Sequence, residues 1–228
     1  MKEYPITATE RFDKANFHIK YTLSFLKKFI HGDILEIGAG CGSFTKNYFN
    51  KNVKNILLTE IDKGNFLNLK KRFKNYKNIK VSSLKTIKIN KKFDTILYFH
   101  VLEHIKNDVK ELQSAKKKLK KNGTIIIVVP AHQDIYSNLD KAVGHYRRYS
   151  RNFFKKNLCG MKRLKLKSID VIGYWLYSLN RVFFKTEVFP SKFKIFIWDK
   201  LFTPITILFD WILNYKFGKC ILTIYRKN

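Results

Sequence analysis

The sequence predicts an α/β fold in which a seven-stranded, mostly parallel sheet carries helices on both of its faces. Apolar runs that suit buried strands alternate with segments of helical periodicity, and this alternation is typical of right-handed βαβ units. The first five runs lack regular polar alternation, as expected for strands that helices cover on both faces. Two strand-like runs near the end of the chain lie about 45 residues apart and predict an added antiparallel pair.

Local patterns predict the elements in chain order. Residues 10–30 are expected to be helical, because aromatic residues recur at a spacing of four from Phe17 to Phe29. Asp62 is expected to cap the helix that follows the second strand. Strands are predicted at 33–38, 55–60, 78–83, 93–99, 124–130, 164–174 and 219–227.

The net charge of +29 on 228 residues first suggests a nucleic-acid or anionic-membrane partner. The excess is mostly lysine, spread along the whole chain together with many Asn, Ile, Phe and Tyr residues, so a coding bias explains it equally well. Such a bias does not explain the arginines, because three of only eight cluster at Arg147, Arg148 and Arg151.

The distribution of cysteine and histidine predicts a reducing compartment and no metal site. Cys41, Cys159 and Cys220 have neither disulfide nor metal spacing, and the six histidines show no metal-ligand spacing. The N-terminal stretch lacks the apolar core of a signal peptide, and no run reaches the ~18 apolar residues of a spanning helix. We therefore expect a cytoplasmic protein.

Three glycines, Gly38, Gly40 and Gly42, lie in "LEIGAGCGS", where the first strand turns into a helix. A ligand can approach the backbone closely there, because no side chain blocks it, and the helix N-terminus adds unpaired N–H groups. The dinucleotide fingerprint needs a glycine where Ser43 stands. The turn therefore predicts a ligand other than a nicotinamide dinucleotide, with a tight turn that binds nothing as the alternative.

Glu60 closes the second strand, 18 residues after Gly42. In a doubly wound sheet this carboxylate lies beside the glycine turn and can accept both hydroxyls of a ribose. Asp62 competes for that role, although its expected helix cap favours Glu60. The alternative for Glu60 is a solvated strand end.

Four segments resemble, in order and spacing, the successive motifs of class I S-adenosylmethionine-dependent methyltransferases. They are "DILEIGAGCGSFT", "LLTEID", "FDTILYFHVLEHI" and "KNGTIIIVVP", and the resemblance covers roughly residues 30–175. "VPAHQDIYSNLDKAVGHYRRYS" further resembles a bacterial subgroup of these enzymes that is often associated with glycosyltransferases and surface-glycan or lipid genes. The resemblance implies a Rossmann-like fold, methyl transfer, and S-adenosyl-L-methionine as the cofactor.

The resemblance also implies the cofactor residues. Many relatives carry an aspartate near position 83 that binds the adenine amino group, and "KVSSLKTIKIN" has none, so Ser83 or backbone groups would make that contact. The implied residues are Glu36, Gly38, Ala39, Gly40, Cys41 and Gly42 around the methionine part, Glu60 and Ile61 around the ribose, Ser83 and Leu84 around the adenine, and His100 and Val101 near the sulfonium.

Methyl transfer from a sulfonium is an in-line displacement that depends mainly on positioning and on exclusion of water. A general base is needed only where the acceptor must lose a proton, so such enzymes have no obligatory catalytic signature. The stretch from Ala131 to Arg151 follows the fifth strand at its carboxyl end, where ligands bind in open α/β sheets. We therefore expect this stretch to contact the acceptor.

Four residues of that stretch are candidates for catalysis. His132 or His145 would act as base or polariser, and Arg147 and Arg148 would grip an anionic acceptor through their planar guanidinium groups. The alternative is that Arg147 and Arg148 pair with Asp134 and Asp140 and pin a long loop. His104 is expected to be a wall residue.

We expect one domain over residues 1–228. It would comprise an N-terminal helix at 10–30, a cofactor-binding core at 31–173, an amphipathic helical insertion or lid at 174–217, and a last, antiparallel strand at 218–228. In the insertion, apolar residues recur at spacings of three or four, with lysines off the stripe. This predicts either a lid or dimer surface that packs on the domain, or a basic amphipathic patch peripheral to the inner membrane face. The stripe comprises Phe193, Ile197, Leu201, Ile205, Leu208 and Ile212.

The sequence thus predicts an S-adenosylmethionine-dependent methyltransferase that acts by in-line displacement on a small or lipid-linked polar acceptor, such as a sugar or another anionic metabolite. A nucleic-acid methyltransferase is the first alternative. The charge favours it weakly, but no "DPPY"-like or "NPPY"-like tetrapeptide follows the fourth strand. The second alternative is a non-catalytic partner subunit that binds the cofactor.

Overall fold

The computed structural model of the chain describes residues 13–83, 89–155, 158–183 and 191–228. Within these residues, seven strands form one sheet in the order β3-β2-β1-β4-β5-β7-β6. They are β1 (Gly32–Ile37), β2 (Val53–Glu60), β3 (Ile79–Ser83), β4 (Phe93–Phe99), β5 (Leu119–Pro130), β6 (Lys162–Ile169) and β7 (Cys220–Arg226).

The direction of the strands confirms the predicted fold class. β1 pairs in parallel with β2 and β4, β2 with β3, and β4 with β5, whereas β7 runs antiparallel to both β5 and β6. The chain moves outward from β1 to β3 and then returns to place β4 beside β1. This reversal is the topological switch point at which doubly wound sheets bind ligands.

Helices cover both faces of the sheet, as predicted. The α-helices are α1 (Asn16–Ser24), α2 (Thr45–Tyr48), α3 (Lys63–Arg72), α4 (Asp108–Lys117), α5 (Asn138–Ala142), α6 (Arg151–Lys155), α7 (Val171–Phe183), α8 (Lys192–Ile197) and α9 (Thr203–Ile212). Short 3-10 turns cover Lys27–Phe29, Leu102–His104, Gln133–Ile135 and Leu158–Gly160, and a π-helical turn, Trp198–Phe202, joins α8 to α9.

Successive residues of the central strands enter two separate apolar layers. Ile34 of β1 packs in the layer that contains Leu23 of α1, whereas the next residue, Leu35, packs in the layer that contains Leu112 of α4. All of these side chains are buried, and full burial of each contributes about 1.5–3 kcal/mol. The central strands lack alternating polar residues because helices cover both faces of the sheet.

Three predicted boundaries are wrong. Where a helix was expected over 10–30, α1 ends at Ser24 and a 3-10 turn follows, while residues 10–12 lie outside the described part. β5 begins five residues earlier than expected, at Leu119. β6 ends at Ile169 instead of continuing to 174, because Asp170 adopts a φ of +69° and α7 begins immediately after it.

Two buried aspartates attach the insertion to the rest of the molecule. Asp210 of α9 accepts hydrogen bonds from the Tyr21 hydroxyl (2.8 Å) and from the backbone N–H groups of Asp170 and Val171 (2.7 and 3.0 Å). Asp199 accepts a bond from the backbone N–H of His18 (2.9 Å). Burial raises the pKa of Asp210 to about 6. Hydrogen bonds from α1 and from the start of α7 thus hold the insertion in place.

The part of the apolar stripe that lies on α9 faces outward. Thr203, Thr206 and Asp210 are the buried residues of α9, while Phe193 is 69% and Trp211 67% exposed. Exposed stripe residues are Phe193, Leu201, Ile205, Leu208 and Ile212, and Ile197 is half-buried. The described residues contain no helix that is both long and apolar enough to cross a bilayer.

Candidate active site

A cavity of about 910 Å³ opens where β1, β2, β4 and β5 end. The glycine turn lines one side of it, and residues from the stretch after β5 line the other. The insertion contributes α7 and α8 side chains, including Tyr177 and Ile195. The cavity therefore lies at the switch point of the sheet and extends to the insertion.

The glycine turn has a conformation that favours glycine. Gly38, Gly40 and Gly42 have φ values of +63°, +57° and +79°, a region that other L-residues rarely adopt. A Cβ on Gly38 would lie 2.8 Å from Val101 Cγ2, and one on Gly42 would lie 2.6 Å from the Phe73 ring. Gly38 therefore allows the turn to contact the segment after β4 at the cavity, whereas Gly42 allows it to pack on α3.

Glu60 ties the glycine turn to the end of β2. Its Oε2 accepts a hydrogen bond from the Gly40 N–H (2.7 Å), and its Oε1 accepts from the N–H groups of Ile61 (2.7 Å) and Asp62 (3.0 Å). A carboxylate oxygen can accept two bonds, so Oε2 retains capacity for a ligand hydroxyl. Asp62 accepts a bond from the Asn65 N–H, which confirms its predicted role as a helix cap.

Glu36 is a buried carboxyl group at the edge of the same cavity. Its Oε2 accepts bonds from Thr45 Oγ1 (2.8 Å) and the Tyr48 hydroxyl (2.6 Å). Burial raises the pKa of Glu36 to about 7 in spite of these bonds. A cationic ligand group would favour its ionised form, because an adjacent opposite charge lowers the pKa of an acid.

Asp140 organises the opposite wall. Its Oδ1 lies 2.6 Å from His145 Nδ1, its two oxygens lie 3.0 Å from Arg148 Nε, and its Oδ2 accepts a bond from the Tyr177 hydroxyl (2.9 Å). Burial raises the pKa of Asp140, but His145 and Arg148 outweigh this effect and hold it well below its usual range. Asp140 therefore fixes two of the predicted catalytic residues, His145 and Arg148, in the cavity wall.

A family whose profile is described as a methyltransferase domain matches residues 11–169. This chain belongs to that methyltransferase family. The matched region contains the glycine turn, Glu60 and most of the cavity wall formed by Asp140, His145, Arg148 and Tyr177, which we call the Asp140 wall. The match ends at the last residue of β6, just before the insertion. A comparison with curated protein sequences gives no significant match.

Solved methyltransferase structures share the fold at low sequence identity. A chain from a complex that contains the Haloferax volcanii Trm112 methyltransferase activator has a TM-score of 0.66 at 10% identity, with 99% of both chains covered. Coclaurine N-methyltransferase, bound to N-methylheliamine and S-adenosylhomocysteine, has a TM-score of 0.61 at 14% identity, covering 93% of this chain and 72% of that one. The N-methyltransferase NodS from Bradyrhizobium japonicum, in complex with S-adenosylhomocysteine, has a TM-score of 0.53 at 13% identity, covering 99% and 89%.

The structure places most of the remaining residues that were predicted to bind the cofactor at the cavity. Ala39, Cys41, Ile61, His100 and Val101 line the cavity. Ser83 pairs with Glu60 across the β2–β3 ladder, which places it at the same end of the sheet. Leu84 lies outside the described residues.

His132 and Arg147, which were predicted to be catalytic, lie away from the Asp140 wall of the cavity. The His132 ring packs on Tyr174 and Phe217, with centroid distances of 4.9 and 4.6 Å. Arg147 pairs with Asp108 (3.1 Å) and donates to the Lys106 carbonyl. Arg148 pairs with Asp140, as the loop-pinning alternative predicted, and it also lines the cavity. Arg147 pairs with Asp108 of α4 and not with Asp134 or Asp140, so that part of the alternative is wrong.

Asp13 supports the outer side of the glycine turn, and sequence reasoning missed it. Its carboxylate accepts a bond from Ser43 Oγ (2.6 Å) and pairs with Arg72 (2.7 Å), while Arg72 also donates to the Cys41 carbonyl. Burial raises the pKa of Asp13, but the bonds from Arg72 and Ser43 outweigh it and lower the pKa to about 2. Only the fold brings Asp13 to a turn that lies about 30 residues later.

Glu103 is the second residue that the sequence did not mark as functional. Its side chain is fully buried at the cavity, in the 3-10 turn after β4. Burial raises the pKa of Glu103, but the neighbouring rings of His100, His145 and His104 hold it below the ordinary value. Burial also lowers the pKa of His104 to about 4. His100, Glu103 and His104 lie within five consecutive residues, but sequence spacing could not link them to His145, which comes from the stretch after β5.

Proposed function

We propose that the protein transfers a methyl group from S-adenosyl-L-methionine to a small or lipid-linked polar acceptor. The observation that carries this proposal is a single cavity with the glycine turn, Glu36 and Glu60 on one side and the Asp140 wall on the other. Two structural neighbours are N-methyltransferases solved with S-adenosylhomocysteine, which supports the same cofactor in this chain.

The proposed cofactor position follows from the bonding capacity of the site. The methionine ammonium would lie near Glu36 and the turn from Gly38 to Cys41, because a buried carboxyl group favours a cation. One ribose hydroxyl would donate to Glu60 Oε2, which has room for one more bond. The adenine would lie toward Ser83, and His100 and Val101 would close the pocket near the sulfonium.

The acceptor would lie between the sulfonium and the Asp140 wall. The displacement needs the acceptor atom in line with the methyl group and about 3 Å from it, so the residues of this wall act mainly by positioning. His145, held by Asp140, would polarise the acceptor, and Arg148 would favour an anionic one through its positive charge. The positions of His132 and Arg147 favour structural roles for them.

Thermal unfolding with S-adenosylhomocysteine, S-adenosylmethionine or NAD tests the cofactor. A ligand at about 100 times its dissociation constant stabilises by ~2.7 kcal/mol, which for this chain length is a shift of roughly 5–10 °C. We expect that shift with both adenosyl ligands, its loss in Glu60→Gln, and its retention in Asp33→Asn, which changes an acid at the opposite end of the sheet. A shift with NAD alone would overturn the proposal.

Two other functions give different results in the same series. A non-catalytic partner subunit would show the adenosyl shift but would transfer no methyl group to any acceptor, and one neighbour comes from a complex with a methyltransferase activator. A nucleic-acid methyltransferase would incorporate labelled methyl groups into RNA or DNA. Incorporation into a glycan or lipid extract and not into nucleic acid supports the small or lipid-linked acceptor.

We further propose that the outward apolar face of the insertion contacts the anionic inner surface of the membrane. Large exposed apolar patches on soluble domains mark sites of interaction, and Trp211 and Trp175 are suited to the headgroup region. Lys192 and Lys200 are exposed beside this face and complement anionic lipid. A lipid-linked acceptor would then reach the cavity from that side.

Co-sedimentation with phosphatidylglycerol-containing vesicles tests this contact. We expect the wild type to bind anionic vesicles and the double variant Leu208→Glu/Trp211→Glu, which changes two exposed residues of α9, to lose binding. Leu67→Glu should bind normally, because Leu67 is a comparably exposed apolar residue on α3. Binding that persists in the double variant would contradict the proposal and would indicate attraction by lysines alone.

A further inference from the structure

Among the described residues, no hydrogen-bond donor lies within 3.5 Å of the buried Glu103 carboxylate. Its exposure is 0%, and neither Oε1 nor Oε2 has a hydrogen-bond partner within the described ranges. Burying an ionised carboxylate is unfavourable unless the charge is paired, hydrogen-bonded or bound to a metal. The surroundings of Glu103 must therefore supply positive charge.

Imidazole nitrogens surround this carboxylate. His145 Nε2 lies 3.9 Å and His100 Nδ1 3.6 Å from Glu103 Oε1, which are longer than hydrogen bonds. One ligand atom each of Glu103, His104 and His145 can be chosen so that all three lie within 4.8 Å of one another. A tetrahedral ion with bonds of about 2.0–2.2 Å spaces its ligand atoms by roughly 3.3–3.5 Å, so small rotations would bring these three into range.

The rings of His104 and His145 each make a hydrogen bond to a group other than Glu103, of the kind that metal-binding histidines make. Asp140 Oδ1 lies 2.6 Å from His145 Nδ1, which leaves Nε2 toward Glu103, and the His104 ring hydrogen-bonds the backbone of Gly144. Histidines that bind metals usually donate their second N–H to a carboxylate or a carbonyl, which fixes the tautomer and the ring orientation. Asp140 and Gly144 are in position to do this.

We propose that Glu103, His104 and His145 bind a divalent transition-metal ion of the Zn²⁺ type. Two imidazoles with one carboxylate favour Zn²⁺, Co²⁺ or Fe²⁺ over Mg²⁺ or Ca²⁺, which prefer oxygen ligands. Three protein ligands are typical of zinc sites that keep a fourth position for an exchangeable ligand. All three residues line the cavity, so the fourth position faces it.

The role of this metal rests on the proposed function, although its binding does not. An acceptor oxygen at the fourth position would lie beside the predicted sulfonium residues His100 and Val101. The metal would then orient hydroxyl- or carboxylate-bearing acceptors, and His145 would act on them through the metal and not directly.

Metal binding can be measured without any methylation assay. Protein purified without a polyhistidine tag is stripped with a chelator and titrated with Co²⁺, Zn²⁺ or Mg²⁺, with metal content and the visible Co²⁺ spectrum as readouts. We expect one Co²⁺ or Zn²⁺ per chain and no Mg²⁺ at the same concentration. Glu103→Gln and His145→Asn should weaken binding by more than about 100-fold, and the outer variant Asp140→Asn by about 10–100-fold.

His31→Asn is the matched control, because this exposed histidine immediately precedes β1 at the opposite end of the sheet. It should bind metal as the wild type does. Glu103→Gln should keep its fold and the unfolding temperature of the stripped protein, since it removes a buried charge that lacks hydrogen bonds. No stoichiometric binding by the wild type, or equal binding by Glu103→Gln, would overturn the proposal. S-adenosylhomocysteine shifts measured on the same samples show separately whether the proposed function fails.

Discussion

The central strands of the sheet and the last helix of the insertion bury opposite kinds of residue. Central strands place apolar side chains such as Leu97 in the interior on both faces, whereas α9 buries Thr203, Thr206 and Asp210 and exposes Leu208 and Trp211. The sheet is thus held by apolar contact, and α9 by hydrogen bonds to the buried carboxylate of Asp210. The difference indicates that the outward apolar side chains of α9 contribute little to the stability of the domain.

Truncation of one leucine in each region is the strongest test of this contrast. Leu97→Ala should lower the free energy of unfolding by about 2–5 kcal/mol, because it opens a cavity between packed layers. Leu208→Ala should change it by less than about 0.5 kcal/mol, since Leu208 is 54% exposed. Urea-induced unfolding measures both values. Similar losses in the two variants would mean that the outward face contributes to the fold and would remove the contrast.

Removal of the Asp210 carboxylate tests how the insertion is attached. Asp210→Ala leaves three donors without their acceptor, and each buried unsatisfied group costs about 1–3 kcal/mol. We expect a loss of about 2–3 kcal/mol together with faster proteolysis between β6 and α7. Tyr21→Phe removes only one donor and should cost about 1 kcal/mol. Unchanged proteolysis in Asp210→Ala would show that other contacts hold the insertion.

Two buried acids, one in each region, should respond to pH in different assays. The pKa of Glu36, at the cofactor cavity, is raised to about 7, and that of Asp210, in the insertion, to about 6. Because ionised Glu36 favours a cationic ligand, affinity for S-adenosylhomocysteine should fall about fivefold from pH 7 to pH 6. Titration calorimetry should show this slope in the wild type and a flat, weak profile in Glu36→Gln.

Asp210 should instead affect stability. Its folded-state pKa lies above the unfolded value, so between about pH 4 and pH 6 the folded state binds more protons. Its contribution to stability is therefore present below pH 4 and is lost as pH rises through 6. Asp210→Asn should flatten that part of the stability profile and leave the pH dependence of ligand affinity unchanged. An altered binding profile in Asp210→Asn would show that the two regions are coupled.

Local spacing was sufficient to predict the parts of the site that lie close together in sequence. Gly38, Gly40 and Glu60 follow two neighbouring parallel strands, so the fold class alone places them at one edge. The Glu103 cluster is only partly local, because Glu103 and His104 are adjacent but His145 joins them from about 40 residues later. Asp13 likewise supports a turn about 30 residues away. No spacing rule links these distant members to the rest. Periodicity also revealed the stripe of the insertion but not its direction, because a helical repeat does not specify which side meets the domain.

The bonds from Glu60 to the glycine turn have a consequence for the rate of ligand exchange. The N–H groups of Gly40, Ile61 and Asp62 are fixed by a side chain of the protein itself, so the loop needs no folding step when a nucleoside arrives. The conformational entropy lost on binding is then mainly that of the ligand. Association should resemble a rigid-body encounter, with a small heat-capacity change and an exchange rate set by escape from the cavity.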